Sequence, residues 1–315
     1  MATAVKKQKY SRIPEFIFQG LTFLFAITPI IISILLAHQL TKGAWLAIST
    51  FGVRFFISSD WNPVVNQFGA LPFLYGTLVS STIALIIALP ISIGTSVFLS
   101  ELAPLWLRNI IKPTVELIAA IPSVILGLWG IFIMIPFLRA YVFPLLKSAF
   151  GSLPFFSGPI FGPCTLAAGI MLAIMITPII TSVCTEIFMT TPQTQREAAY
   201  ALGATKWETI RIAVLSPAKP GIAGAAILGL SRALGETMAV TMVIGNRPEI
   251  AISLFAPGHT LASAIANEFA EATTQIYLSA LFELGLVLVL VTLTTNIIAR
   301  LITVRTIRRF TTPNP

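Results

Sequence analysis

The sequence predicts an all-α, polytopic membrane protein with six membrane-crossing helices. Three observations carry that prediction. Hydrophobic residues make up 56% of the 315 and charged residues 10%, and mean hydropathy is +0.90, far from the balance of a soluble domain. Six apolar stretches, 16–38, 73–100, 117–138, 164–188, 219–245 and 277–303, could each cross a hydrocarbon core of about 30 Å, which takes roughly 20 helical residues. Basic residues then divide by side. Fourteen flank one face (Lys6, Lys7, Lys9, Arg12, Arg108, Lys112, Arg196, Lys206, Arg211, Lys219, Arg300, Arg305, Arg308, Arg309), and five flank the other (Lys42, Arg54, Arg139, Lys147, Arg247). Positive-inside bias puts both termini and the loop after the fourth span in the cytoplasm. The net charge of +8 belongs to these flanks, so no nucleic-acid partner is implied.

The first span has an apolar run over 21–37, longer than a usual signal core, and no small-x-small site follows His38, so it reads as an uncleaved anchor. The outer loop 39–72 carries Trp61, suited to an interfacial belt, and the Gly/Pro content of a compact loop. The loop 139–163 is also Pro/Gly-rich, and 246–276 ends in a helix-like run over 261–272. Cys164 and Cys184 lie 20 residues apart on one predicted helix, about 30 Å along its axis, which excludes a disulfide. His38 and His259 fall at loop edges away from other ligand types, so no metal site is expected. The chain divides into a tail, anchor and outer loop (1–72), a membrane-spanning core (73–304) and a basic tail (305–315).

No phosphate-cradling Gly-x4-Gly-Lys-Ser/Thr run, dinucleotide fingerprint, His-Glu-x-x-His or nucleophile–base set occurs. A protein doing energised work without these must draw on another chain or an ion gradient. An intramembrane enzyme is therefore disfavoured. A secondary transporter would show inverted repeats, which are not evident, and would leave the ordered cytoplasmic loop unexplained.

That loop is patterned. Thr191-Pro192 offers an N-cap with proline at the first helical position, and a short helix runs to Leu202. Gly203 suits the left-handed stop. Thr205-Lys206-Trp207-Glu208 is a capping box, and its helix must end before Pro217. Alanines at 198, 199 and 201 let a partner approach closely, and Arg196 and Glu197 are available to pair across an interface. The blander reading is a hairpin resting on lipid headgroups.

The fifth span carries the other signal. Gly221, Ala225, Gly229 and Ala233 form a small-residue stripe for close helix packing. At 100° per residue Arg232 and Glu236 fall on that stripe, and Arg232 lies about 20 Å from the cytoplasmic end, near mid-membrane. A charge there costs about 2.5–3.5 kcal/mol or more and marks function. Glu236 is the expected partner at i, i+4, with Glu283 of the last span the runner-up. The alternative is a static pair that locks two helices. The functional reading is a cation in an anion pathway, since the planar Arg fork suits oxyanions.

Glu197-Ala198-Ala199 with Gly203, Leu215 and Pro217 resembles the Glu-Ala-Ala-x3-Gly loop through which type I (MetI-like) ATP-binding-cassette importer permeases engage their ATPase. Ser216 stands where many members have the proline. The run Gly229-Leu230-Ser231-Arg232-Ala233-Leu234-Gly235-Glu236-Thr237-Met238-Ala239-Val240 is similar to the signature of PstC-type phosphate-specific permeases. So are Ala120-Ile121-Pro122-Ser123-Val124, Gly127-Leu128-Trp129-Gly130 and the segment from Pro257 to Phe269. The sister permease type has Gly-Glu-Thr-Ala where this chain has Gly235-Glu236-Thr237-Met238. The resemblance implies the type I importer permease fold and a role in high-affinity phosphate import. Arg232, Glu236 and Glu283 would lie on the substrate pathway; Arg196, Glu197, Ala198, Ala199, Gly203 and Ala204 would couple to the ATPase. It implies a PstA-like sister permease, a PstB-like ATPase dimer holding ATP-Mg, a PstS-like extracytoplasmic phosphate-binding protein and membrane lipid as partners. This chain itself would hold no cofactor. A sulfate or molybdate permease, or a phosphate-sensing signalling subunit, are the alternatives.

Overall fold

The computed structural model describes residues 12–311; the basic cluster Lys6, Lys7 and Lys9 and the last four residues lie outside the described segment. The order is α1 (Arg12–Phe51), α2 (Arg54–Ile57), α3 (Leu71–Val97), α4 (Leu105–Ala119), α5 (Ser123–Trp129), α6 (Ile135–Phe137), α7 (Phe143–Phe150), α8 (Thr165–Met189), α9 (Gln193–Ala201), α10 (Lys206–Thr209), α11 (Ser216–Gly235), α12 (Met238–Ile244), α13 (Leu261–Glu268) and α14 (Gln275–Thr311). Among the described residues the extended pairing is one bridge, Asn62 to Gln67. Among the described residues, six helical stretches have the length and composition to cross a membrane.

α8 is the central helix. Its apolar side chains Met171, Leu172, Ile176, Ile180 and Phe188 are fully buried in a core completed by α3, α11 and α12. Small residues set the approach: an added Cβ on Gly169 would meet Ile83, and one on Gly229 would meet Ile180. A second core, at the outer end, gathers Phe55, Phe68, Phe73, Leu261, Tyr277 and Leu281 from α2, α3, α13, α14 and the 58–70 loop. Among the described residues, the first half of α1 buries none, and Phe18, Phe23, Phe25 and Ile34 are exposed, as in a lipid-facing anchor.

Several expected boundaries move. α1 does not stop at 38. It runs to Phe51 because Leu40, Gly43 and Ala47 pack on Gly285, Phe282 and Ser279 of α14, so half of the expected outer loop is helix. The third span begins at Ser123 and reaches Phe150, absorbing Arg139, Lys147 and Pro144, which read as loop. The segment before it is a separate cytoplasmic-side helix, α4, with no buried residue.

Prolines explain an irregularity in these helices. Four wide π-turns, Phe98–Leu102, Gly130–Met134, Leu138–Val142 and Ile210–Leu215, each end two residues before a proline: Pro104, Pro136, Pro144 and Pro217. Proline lacks a donor and collides with the carbonyl four residues back; a widened turn moves that carbonyl aside. Pro217 therefore does not end the helix that begins at Lys206, as expected, and the chain passes through the wide turn into α11.

Candidate functional site

The small-residue stripe of α11 packs as expected. Gly221 lies against Ile187, Gly229 against Ile180 and Ile176, and Ala225 and Ala233 are buried. Since Ile176 and Ile180 occupy the middle of α8, the next turn of α11, carrying Arg232, sits near the middle of the span. Two expectations are corrected. The fifth span is not one helix: α11 ends at Gly235, Glu236 is extended (φ −70, ψ 125), and α12 starts at Met238. Arg232 stands beside the stripe rather than on it; its side chain is 43% exposed while that of Glu236 is 7% exposed.

The pair is nevertheless formed, Arg232 Nη2 lying 3.8 Å from Glu236 Oε2. The break gives Glu236 a second fixed contact, because the Ala239 backbone N–H donates to its Oε1 at 3.5 Å. Neighbouring Ser231 donates to Asn296 Oδ1 of α14 at 2.8 Å. The carboxylate is thus held by backbone, whereas the guanidinium is long, loosely paired at this distance and presented on a face the chain leaves open.

Glu283 is not part of this pair. The Ser231–Asn296 bond sets α11 and α14 in antiparallel register, and Glu283 precedes Asn296 by 13 residues. At 1.5 Å per residue that is about 20 Å further out, so the runner-up partner lies beyond the reach of Arg232. Its carboxyl is 2% exposed and Oε2 has no hydrogen-bond partner.

The cytoplasmic hairpin takes the expected form with small shifts. Pro192, rather than Thr191, is the N-cap, and the helix spans Gln193–Ala201. Gly203 adopts φ +82, a conformation an L side chain resists. The capping box closes, with Thr205 and Glu208 bonding reciprocally. Glu197, Ala198, Ala201 and Gly203 are exposed, and Ala199 and Ala204 half-buried. Bulky apolar side chains face solvent beside them: Leu202 at 90% exposure, Trp207 at 62% and Tyr200 at 49%. These exposed apolar groups sit together on an ordered, capped element.

Arg196 does not project from that surface. Its Nη2 lies 2.7 Å from Glu101 Oε1 and its Nε donates to Glu101 Oε2 at 3.2 Å. Its remaining donors reach the carbonyls of Phe188 and Thr191, so an Arg196 pairing across an interface is corrected to one inside the chain.

Three residues escaped the sequence reading. Glu101 is one. Glu268 is another: its Oε2 accepts from Trp61 Nε1 at 2.6 Å and from Tyr277 Oη at 2.7 Å, fixing the outer hairpin. Burial raises its carboxyl above the usual range. His259 is the third. The 246–260 segment exposes Arg247, Glu249 and Ile252, but its end turns inward: Phe255 joins the core around α8, 258–260 are buried, and Thr165 and Leu166 N–H donate to the Ala256 and Leu254 carbonyls. His259 is 1% exposed, neither ring nitrogen has a partner, and burial lowers its pKa to about 4. The cysteines are free and buried, as expected.

A family model described as the binding-protein-dependent transport system inner membrane component matches residues 92–310. The chain is 46% identical over 293 residues to the phosphate transport system permease protein PstC of Mesorhizobium japonicum, covering 92% of this chain and 90% of the relative. It is likewise 46% identical over 295 residues to the protein of the same description from Pasteurella multocida, covering 92% of each. A solved bacterial ABC transporter involved in importing the acidic polysaccharide alginate matches with a TM-score of 0.59 at 17% identity, over 96% of this chain and 100% of that one. At that identity the likeness speaks for the fold.

Proposed function

The chain belongs to the family of binding-protein-dependent transport system inner membrane components, and on that premise we propose how it works as the permease subunit of a phosphate importer. It is a multi-pass inner-membrane protein and a transport subunit rather than an enzyme. Its open Arg232 face pairs with a sister permease, and phosphate passes between the two. A dimer of ATPase subunits holding ATP-Mg docks on the 192–214 hairpin. An extracytoplasmic phosphate-binding protein delivers the substrate.

The observation that carries this reading is Arg232, a guanidinium at mid-span on a face its own chain leaves open, paired at only 3.8 Å. A charge placed so deep is costly unless used. Arg offers an oxyanion two parallel donors, which offsets part of the loss of hydration. Glu236, held by the Ala239 N–H, stays in place when the guanidinium turns to phosphate. It then competes for the same donors and aids release. The hairpin supplies the second half: ordered by a capping box, exposed in Trp207 and Leu202, and continuous through a wide turn with α11. Movement imposed on the hairpin reaches the helix that carries Arg232.

The test is purification of the tagged full-length chain from its native membrane, followed by reconstitution in vesicles. A second permease and an ATPase should co-purify. ATP together with the binding protein should drive phosphate accumulation that sulfate and molybdate do not compete for. Purification of the chain alone, or equal competition by sulfate, contradicts the proposal.

A further inference from the structure

The cytoplasmic ends of α3, α8 and the hairpin are joined by a partly buried ion pair, Glu101–Arg196. Glu101 lies in the wide turn Phe98–Leu102 that closes the second span. Arg196 lies on α9, 95 residues later. Their side chains are 11% and 15% exposed, and the contact is bidentate, through Nη2 at 2.7 Å and Nε at 3.2 Å. The same guanidinium donates to Phe188 O at 3.0 Å and to Thr191 O, so it sits at the C-terminal end of α8, where a cation is favoured. One side chain therefore ties three elements.

The surroundings reinforce the joint. The wide turn before Pro104 leaves carbonyls without their usual donors, and Arg108 of α4 takes those of Leu99 and Ser100 at 2.6 and 2.7 Å. Lys112 of α4 lies 3.7 Å from Glu186 of α8. By contrast α9 has no buried residue of its own. Its attachment to the spans therefore depends on polar contacts of fixed geometry rather than on an apolar seat.

We infer that the Glu101–Arg196 pair is the link that transmits hairpin displacement to the second and fourth spans, making both positioning residues for coupled transport. The inference rests on the reading of the hairpin as the ATPase contact. A fork bonded on both edges moves its partners together, whereas a single point contact lets them swivel. Loss of the link leaves a hairpin that still binds the ATPase and still follows its cycle, while the spans lag behind.

The experiment uses the whole reconstituted transporter in vesicles and reads phosphate taken up per ATP hydrolysed. Glu101→Gln is expected to keep the ATPase bound and hydrolysing while that ratio falls about tenfold, within the range of ordinary site-to-site coupling. Should Glu101→Gln fail to assemble, Arg196→Lys keeps the charge and loses the fork, and the same fall in ratio is expected. A wild-type ratio in the variant that assembles overturns the inference. So does a parallel loss of uptake and hydrolysis, which is what a merely structural role would give. A wild-type complex that shows no ATP-driven phosphate uptake overturns the importer reading itself, and the link with it.

Discussion

Replacing Gly76 with alanine tests the seat of the outer segment more sharply than any other single methyl group. A Cβ at Gly76 would stand 2.1 Å from the backbone O of His259 and 3.0 Å from its C. Carbon contacts settle near 3.5 Å, so the segment must retreat by about 1 Å or more, and backbone has no rotamer with which to yield. The retreat pulls on the Leu261 N–H bond to Thr77 Oγ1, now 2.9 Å, and on Gly258 N–H to Ile244 O, now 3.0 Å. Overpacking costs about 1–3 kcal/mol and a strained hydrogen bond about 1 more, so roughly 3 kcal/mol is expected. Gly94 is the control on the same helix. Its added Cβ meets nothing within 4 Å, and Gly→Ala in a helix then gains about 0.5–1 kcal/mol. Thermal unfolding of the two purified variants should separate them by on the order of 10 °C, at about 2–4 °C per kcal/mol for chains of this size. Equal midpoints would refute the close approach of α3 to the His259 backbone.

Three further outcomes follow from the same geometry. Trp207→Ala combined with Leu202→Asp removes two of the most exposed apolar groups of the hairpin, and should abolish ATPase co-purification while leaving the unfolding midpoint of the isolated chain within about 2 °C, as surface changes do. His259 is held neutral with a pKa of about 4 against 6.5, so between those values the unfolded chain binds more protons. Stability must therefore fall as pH drops through that window, by about 3 kcal/mol from this group. His259→Leu should flatten the wild-type difference in midpoint between pH 7 and 4.5, and an unchanged slope would show that the imidazole is not buried neutral. Glu268→Leu removes the oxygen that accepts from both Trp61 Nε1 and Tyr277 Oη, and faster proteolysis of the 58–70 loop is expected. Unaltered cleavage would mean that the Trp61 and Tyr277 bonds do not hold that loop.

Composition and hydropathy carried most of the architecture because a bilayer demands long apolar helices. The hairpin was legible too, since a capping box and a left-handed glycine are local signals, and Thr205, Glu208 and Gly203 behave as read. What escaped was tertiary or ambiguous. The third span was cut short because Arg139, Pro144 and Lys147 resemble a loop; wide turns before the prolines, and a Lys147 side chain that reaches the Gly158 carbonyl at 2.9 Å, let the helix continue. The break at Glu236 was hidden because Glu236 reads as the i, i+4 partner of Arg232 on one continuous helix. Arg196 looked available because Glu101 is 95 residues away. Trp61 finds Glu268 across 207 residues. Only the prolines offered a missed local clue: four of them sit two residues beyond a wide turn, although Pro29, Pro90, Pro113, Pro178 and Pro220 lie inside α-helices without one.

Phosphate uptake by the assembled transporter carrying Arg232→Gln tests the central claim most directly, because glutamine keeps much of the length and polarity of the side chain and removes the charge. With sister permease and ATPase still co-purifying, uptake should fall at least roughly tenfold, the loss expected for a charge-assisted hydrogen bond of about 1.5–3 kcal/mol. Uptake at the wild-type rate would show that the guanidinium at mid-span meets no phosphate.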